Sequence, residues 1–190
     1  SREGANKTKF AKYNFNGTEK IVIVDGLNEP ALYDNTTFTA LTSAPTDVIG
    51  ATFVAEAKGH LFFAKGDTVT YTAFETDSDF SIGNGAGNFR VGGTVTALAV
   101  FREQLIIHQL TGRAVSDFVV QTITADIGCI DSDTVQEIAG DVMFLGPDGL
   151  RLLSATDRIG DFGLASVSKN IQSVMTGFIS ANTSFTSCVV

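Results

Sequence analysis

Asp141-Val142-Met143-Phe144-Leu145-Gly146-Pro147-Asp148-Gly149-Leu150-Arg151-Leu152-Leu153 is the stretch that decides the fold. Two apolar runs flank a turn in which Pro147 presets φ and Gly149 closes the reversal, so the runs fold back on each other as a hairpin. Upstream, Val135 to Ile138 leads through Ala139-Gly140-Asp141 into Val142 and reads as a preceding strand of the same sheet. The unit is strand, turn, apolar anchor strand, turn, third strand.

The same plan recurs three more times. Ile21-Val22-Ile23-Val24 runs into Asp25-Gly26, Leu61-Phe62-Phe63-Ala64 into Lys65-Gly66-Asp67, and Leu105-Ile106-Ile107-His108 into Thr111-Gly112-Arg113. The third strands of these units are Ala31-Leu32-Tyr33, Val69-Thr70-Tyr71 and Ala114-Val115-Ser116, and Val95 to Phe101 precedes the Leu105 anchor. Anchors at 21, 61, 105 and 142 are spaced by 40, 44 and 37 residues, around the roughly 40 to 45 that one four-stranded propeller blade consumes. Because the anchors are unbroken apolar runs without strict alternation, they read as strands buried on both faces by neighbouring sheets. Fifteen phenylalanines supply filler between sheets.

The expected fold is therefore all-β and β-propeller-like, with about four antiparallel blades belonging to a larger ring. The units run over about 10–48, 49–93, 94–132 and 133–176, with the start of a fifth at 177–190. A β-sandwich with evenly spaced strands is the competing architecture. One segment departs from the pattern: Leu164, Val167, Ile171, Val174 and Met175 fall on a helical stripe and predict a short helix over 166–176. Phe185 to Val190 would open the fifth unit, and a chain beginning with Ser and ending on an apolar run reads as a piece of a longer polypeptide.

Composition narrows the function classes. With 44% hydrophobic and 18% charged residues the chain is globular, and a net charge of −8 argues against phosphate neutralisation as its main task. The longest apolar runs, such as Ala97 to Phe101, fall far short of the roughly 18 residues that cross a bilayer, so no membrane segment is expected. Cys129 and Cys188 are too few for a disulfide scaffold, lack zinc-ligand spacing and read as reduced, buried residues.

Candidate chemistry is sparse. Ser81-Ile82-Gly83-Asn84-Gly85-Ala86-Gly87-Asn88 lacks the Lys-Ser/Thr of a P-loop and the dinucleotide spacing, and reads as a flexible loop between blades. Asp77-Ser78-Asp79 and Asp131-Ser132-Asp133 resemble halves of calcium loops, yet neither continues into a full ligand set; they read as turn-capping aspartates. His60 and His108 lie in apolar stretches, and His108 with Asp117 and a serine forms no triad without a nucleophile elbow. The Asn-x-Ser/Thr patterns at Asn6, Asn16, Asn35 and Asn182 read as coincidence in a chain rich in Asn and Thr. No catalytic, cofactor-binding or metal residue is assigned and no enzyme is expected.

Three stretches together carry a resemblance: Phe80-Ser81-Ile82-Gly83-Asn84-Gly85-Ala86-Gly87, Val95 to Ile107, and Ile127-Gly128-Cys129 continuing to Gly140 through Arg151. In their order of hydrophobic and turn residues, over about Gly50 to Ile171, they resemble propeller-containing virion proteins of tailed bacteriophages, in particular the tail nozzle (tail tubular protein B) type. The resemblance implies a structural protein of the virion, assembled in the host cytoplasm. It further implies a homo-oligomeric ring, a hexamer in that family, which docks a tail adaptor protein and tail fibres and passes DNA through its lumen without reading sequence. This chain is shorter than a full nozzle subunit. An acidic lumen wall would let duplex DNA slide past instead of sticking. The rival class is a glycan- or protein-binding propeller module, with a propeller glycosidase behind it.

Overall fold

The computed structural model describes residues 7–101, 104–109, 128–154, 167–182 and 184–185. They build four antiparallel sheets taken up in chain order, followed by a helix. The first sheet is the meander β1 (Lys9–Phe15), β2 (Thr18–Val24), β3 (Ala31–Tyr33) and β4 (Phe38–Ala40); the second is β5 (Phe53–Ala57), β6 (His60–Lys65), β7 (Thr68–Tyr71) and β8 (Gly87–Arg90). The third pairs β9 (Val95–Phe101) with β10 (Gln104–Gln109), and the fourth is β11 (Gln136–Ile138), β12 (Asp141–Gly146) and β13 (Gly149–Leu152).

Each of the four anchor runs is the second strand of its sheet, β2, β6, β10 or β12. The tightest reversals have a local cause. Asn16-Gly17, Lys58-Gly59 and Ala139-Gly140 each place two successive residues at positive φ, from 51° to 78°. These two-residue hairpins join first to second strand in the first, second and fourth sheets, and their twist matches that of the strands they connect. In the Pro147 turn, Gly146 pairs with Gly149, which leaves Pro147 and Asp148 at its tip.

Packing between sheets follows from the period of two. Along β6, Leu61 and Phe63 enter one core with Tyr13, Phe15, Val22 and Val24 of the first sheet, whereas Phe62 and Ala64 enter another with Val95 of β9. Leu98, Leu105 and Ile107 of the third sheet pack against that second core. The second sheet is thus dry on both faces, held between the first and the third. Leu61 and Leu105 lie in different sheets, as stacking demands and a continuous two-layer sheet would forbid. The first strands also neighbour one another: β1 lies against β5, and β5 against β9.

Two expectations are corrected. The Gly-rich stretch 81–88 does not link separate sheets. It joins β7 to β8 within the second, through a 3-10 turn at Ile82–Asn84 and a left-handed Gly85. It is pinned there by Asp79, which accepts the Ser81 amide (2.8 Å) and the Asn84 side-chain amide (2.6 Å). The helix, α1 (Gln172–Ala181), is displaced toward the C-terminus from the expected 166–176 and is entered through a 3-10 turn at Lys169–Ile171. Gly177 costs about 1 kcal/mol relative to Ala but does not stop it; it ends where the Asn182 side chain bonds the Phe178 carbonyl (2.7 Å). Its half-buried side is Gln172, Met175 and Ile179, while Val167, Ile171 and Val174 of the expected stripe are exposed. The third-strand run 114–116, Asp117, Cys188 and the run 186–190 lie outside the described residues.

Candidate functional site

Two features stand out from the stacked sheets: polar junctions that tie sheets together, and apolar faces left open. The first junction centres on Asp77, in the loop that follows β7. Its Oδ2 accepts the Tyr13 hydroxyl (3.0 Å) and the Lys20 ammonium (2.6 Å), both from the first sheet. Burial alone would raise the Asp77 carboxyl, but Lys20 and Tyr13 outweigh it and hold it below the ordinary carboxylate range. Burial, reinforced by the Asp77 charge, drives the Tyr13 phenol far up, so it stays a donor. Asn16 donates to the Glu75 carbonyl (3.3 Å) and Ser43 to that of Ser78 (3.2 Å), extending the seam.

The second junction lies at Asp131-Ser132-Asp133, just before β11. Asp131 does cap its 3-10 turn, accepting the Asp133 amide at 3.1 Å. Between them the aspartates also reach the N-terminal end of β1 and the lysine just before it. Lys7 Nζ stands 3.1 Å from each Asp131 carboxylate oxygen and 2.8 Å from Asp133 Oδ2, and Lys9 of β1 pairs with Asp133. Asp131 Oδ2 accepts in addition the Phe185 amide (2.9 Å), downstream of α1. Burial works against both carboxylates, but they are held below the ordinary range, Asp131 by the Phe185 and Asp133 amides with Lys7, Asp133 by Lys7 and Lys9. The start of the fourth sheet is in this way fastened to the first strand of the first.

Of the residues weighed for chemistry, His60 opens β6, its Nδ1 2.7 Å from the Thr72 carbonyl and its ring edge-on to Phe62, Tyr71 and Phe74. That is a structural setting. His108 is in β10 opposite Ala97. Cys129 is a free thiol, fully buried, whose pKa burial raises; it donates to the Asp131 carbonyl (2.9 Å). Arg151, unremarked in the sequence, is 1% exposed and grips Asp148 through Nε (2.9 Å) and Nη2. Among the described residues no three His, Cys, Asp or Glu side chains gather as a metal site, and no helix is long and apolar enough to cross a membrane.

The open faces are the part that sequence reading missed. On β1 and β2, Tyr13, Phe15, Val22 and Val24 point into the core, so Phe10, Ile21 and Ile23 point the other way. Register adds Tyr33 and Phe38 to that outer face, their rings stacked at 4.5 Å. Phe10 is 70% and Phe38 66% exposed. The available signal was apolar residues at both parities, Phe10 beside Ala11, and Ile21 and Ile23 beside Val22 and Val24, which leaves apolar side chains on both faces of these strands. A second open face runs along α1, where Val174 is 67% and Phe178 53% exposed, with Ile171 beside them. The helix is moored by Gln172, which donates to the Asp148 carbonyl, and it lies against β13.

No family model matches the chain, and no curated protein is similar to it in sequence.

Proposed function

We propose that this chain is a structural, non-enzymatic module of a tailed-phage virion, of the tail-nozzle kind, built as consecutive blades of a propeller over the units 10–48, 49–93, 94–132 and 133–176. The residue pattern from Phe80 to Arg151 is the ground for the family. The geometric support for the propeller is a sheet covered on both faces by its sequence neighbours, with β5 lying against β1 and β9, and the Lys7/Lys9 to Asp131/Asp133 pairs drawing the fourth sheet toward the first.

The observation that favours assembly over glycan binding is where the open aromatics lie. Phe10 and Phe38 sit on a flat sheet face, a surface suited to another folded element, and not on a cluster of loops where a sugar would be clasped. In this reading copies form a ring in the virion, six by the resemblance. The ring docks an adaptor protein and tail fibres, and DNA passes through its lumen without sequence-specific contact, helped by the acidic balance of −8.

The test is electron microscopy of particles from the phage that encodes the chain, labelled with an antibody to it, alongside a glycan array. Label at the distal end of the tail with an empty array supports the proposal. Unlabelled tails with a saturable glycan ligand would replace it with the receptor-binding module.

A further inference from the structure

The second junction holds more than two sheets. Asp131 itself is fixed in place: its carbonyl accepts the Thr134 hydroxyl (2.6 Å) and the Cys129 thiol (2.9 Å), and both donors are buried. The carboxylate carried by that rigid base takes three donors. Oδ1 accepts the Asp133 amide of its own turn, Lys7 Nζ stands 3.1 Å from each oxygen, and Oδ2 accepts the Phe185 amide at 2.9 Å. Two of these donors come from opposite ends of the described chain, and what they hold is lightly packed. Lys7 is half exposed, and no residue of α1 is buried. The helix is moored at its first residue by Gln172 on the Asp148 carbonyl, and near its far end the Phe178 ring meets that of Phe185 at 5.6 Å. Phe185 thus links the helix to the carboxylate. The stacked sheets are packed otherwise, with Leu61, Phe63 and Val69 fully buried.

We infer that Asp131 is a clasp that couples the two ends of the chain: Lys7 with the start of β1 on one side, and Phe185 with α1 on the other, open together as one unit, ahead of the stacked sheets. The chemistry of the carboxylate carries this. An ionised carboxylate only accepts, and its two oxygens can serve three N–H donors at once. Each donor it holds also orients it for the others. Segments with few buried apolar contacts open at low free energy, and both arms of the clasp are of that kind, whereas its base at Cys129 and Thr134 is not. Asp133 seconds the N-terminal arm, through Lys7 (2.8 Å) and Lys9. Coupling through a shared group is reciprocal, so whatever weakens one arm loosens the other. The route from Lys7 to the helix runs through Asp131 and Phe185. The device needs no partner and holds whatever the chain's place in a particle.

The experiment is hydrogen exchange, read by mass spectrometry at neutral pH, on the 190-residue chain and its Asp131→Asn and Lys7→Gln variants. Asparagine has one acceptor oxygen. It can cap its own turn or take the Phe185 amide, and its NH2 group then confronts the donors left over. In Asp131→Asn, exchange should quicken about ten- to a hundredfold over α1 and over the start of β1, the factor that loss of a hydrogen bond to a charged group carries. The His60–Lys65 amides of β6 should stay unchanged as the internal reference. Lys7→Gln removes a half-exposed ammonium and should leave the fold intact; it should quicken the start of β1 and, severalfold, α1 as well. That response of the helix to a change at the other end of the chain is the deciding reading. Exchange in α1 that is unmoved by Lys7→Gln would overturn the coupling, and exchange in α1 unmoved by Asp131→Asn would overturn the clasp outright. Faster exchange in β6 to the same degree as in α1 would overturn it too, since the ends would then open only with the whole molecule.

Discussion

Adjacent phenylalanines on β6 offer a direct test of the stacking. Phe62 is 4% and Phe63 0% exposed, yet they point to opposite sides of the second sheet. Phe63 lies in the core shared with the first sheet, its ring 6.0 Å from that of Phe80, and Phe62 lies in the core shared with the third, 5.6 Å from Tyr71. Replacing either with Ala removes a ring from a dry site, at about 3 to 5 kcal/mol for transfer plus cavity. For a chain of this size that lowers the melting midpoint by roughly 6 to 20 °C, at about 2 to 4 °C per kcal/mol. Because the two rings sit in separate cores, the double variant should lose about the sum of the single losses. Urea unfolding of Phe62→Ala, Phe63→Ala and the double variant, followed by circular dichroism, measures all three. In a sheet with one wet face, one of the singles would cost under about 0.5 kcal/mol; that result would refute the two-sided sheet and with it the stacked architecture.

Other perturbations test the junctions and turns. Asp131 and Asp133 titrate below the unfolded carboxyl value of about 3.9. Their stabilisation is therefore complete above that pH and is lost as pH falls through their folded values, so an Asp133→Asn variant should show a flatter acid limb in pH-dependent urea unfolding. Cys129, buried and with its thiol pushed up, should resist iodoacetamide in the native chain and react once unfolded; rapid native labelling, read by intact mass, would mean that this strand end opens. Gly59→Ala should cost about 1 to 2 kcal/mol in thermal unfolding, since φ is +78° and the new methyl would stand 2.6 Å from the Phe74 ring; a neutral result would contradict the hairpin at Lys58-Gly59.

Local chemistry made the strands legible. Leu61 to Ala64 and Val142 to Leu145 are too apolar to have a wet face and too short for a helix, and the turns after them carry Gly, Asp or Pro. Ala139-Gly140 was read as such a turn; the same signal at Asn16-Gly17 and Lys58-Gly59, each opening a hairpin just before an anchor strand, went unused. The 81–88 stretch misled because three glycines read as slack, whereas Asp79 and Asn84 fix the turn through side-chain bonds that composition does not display. The helix was misplaced for a related reason. The apolar stripe predicts where a helix forms but not its ends or the face that packs: the side toward the fourth sheet is Gln172, Met175 and Ile179, with only Met175 from the stripe.

What no local pattern could reveal is the partnership of charges across the chain. Nothing in the sequence singles out Lys7 and Lys9, and Asp131 and Asp133 read as the caps of a turn, which is correct as far as it goes. The carboxylates have oxygens to spare after capping, and the strand that brings Lys9 past them is set by the packing of β1 on β5 and of β5 on β9. With Lys7 half exposed, each of these pairs contributes little to stability, on the order of 1 kcal/mol or less, so apolar packing carries most of the cohesion between sheets and the pairs add to it. Their value is positional. Apolar stacking is tolerant of small rotations between sheets, whereas a carboxylate that must meet Lys7, the Phe185 amide and its own turn at once fixes the fourth sheet at one angle to the first.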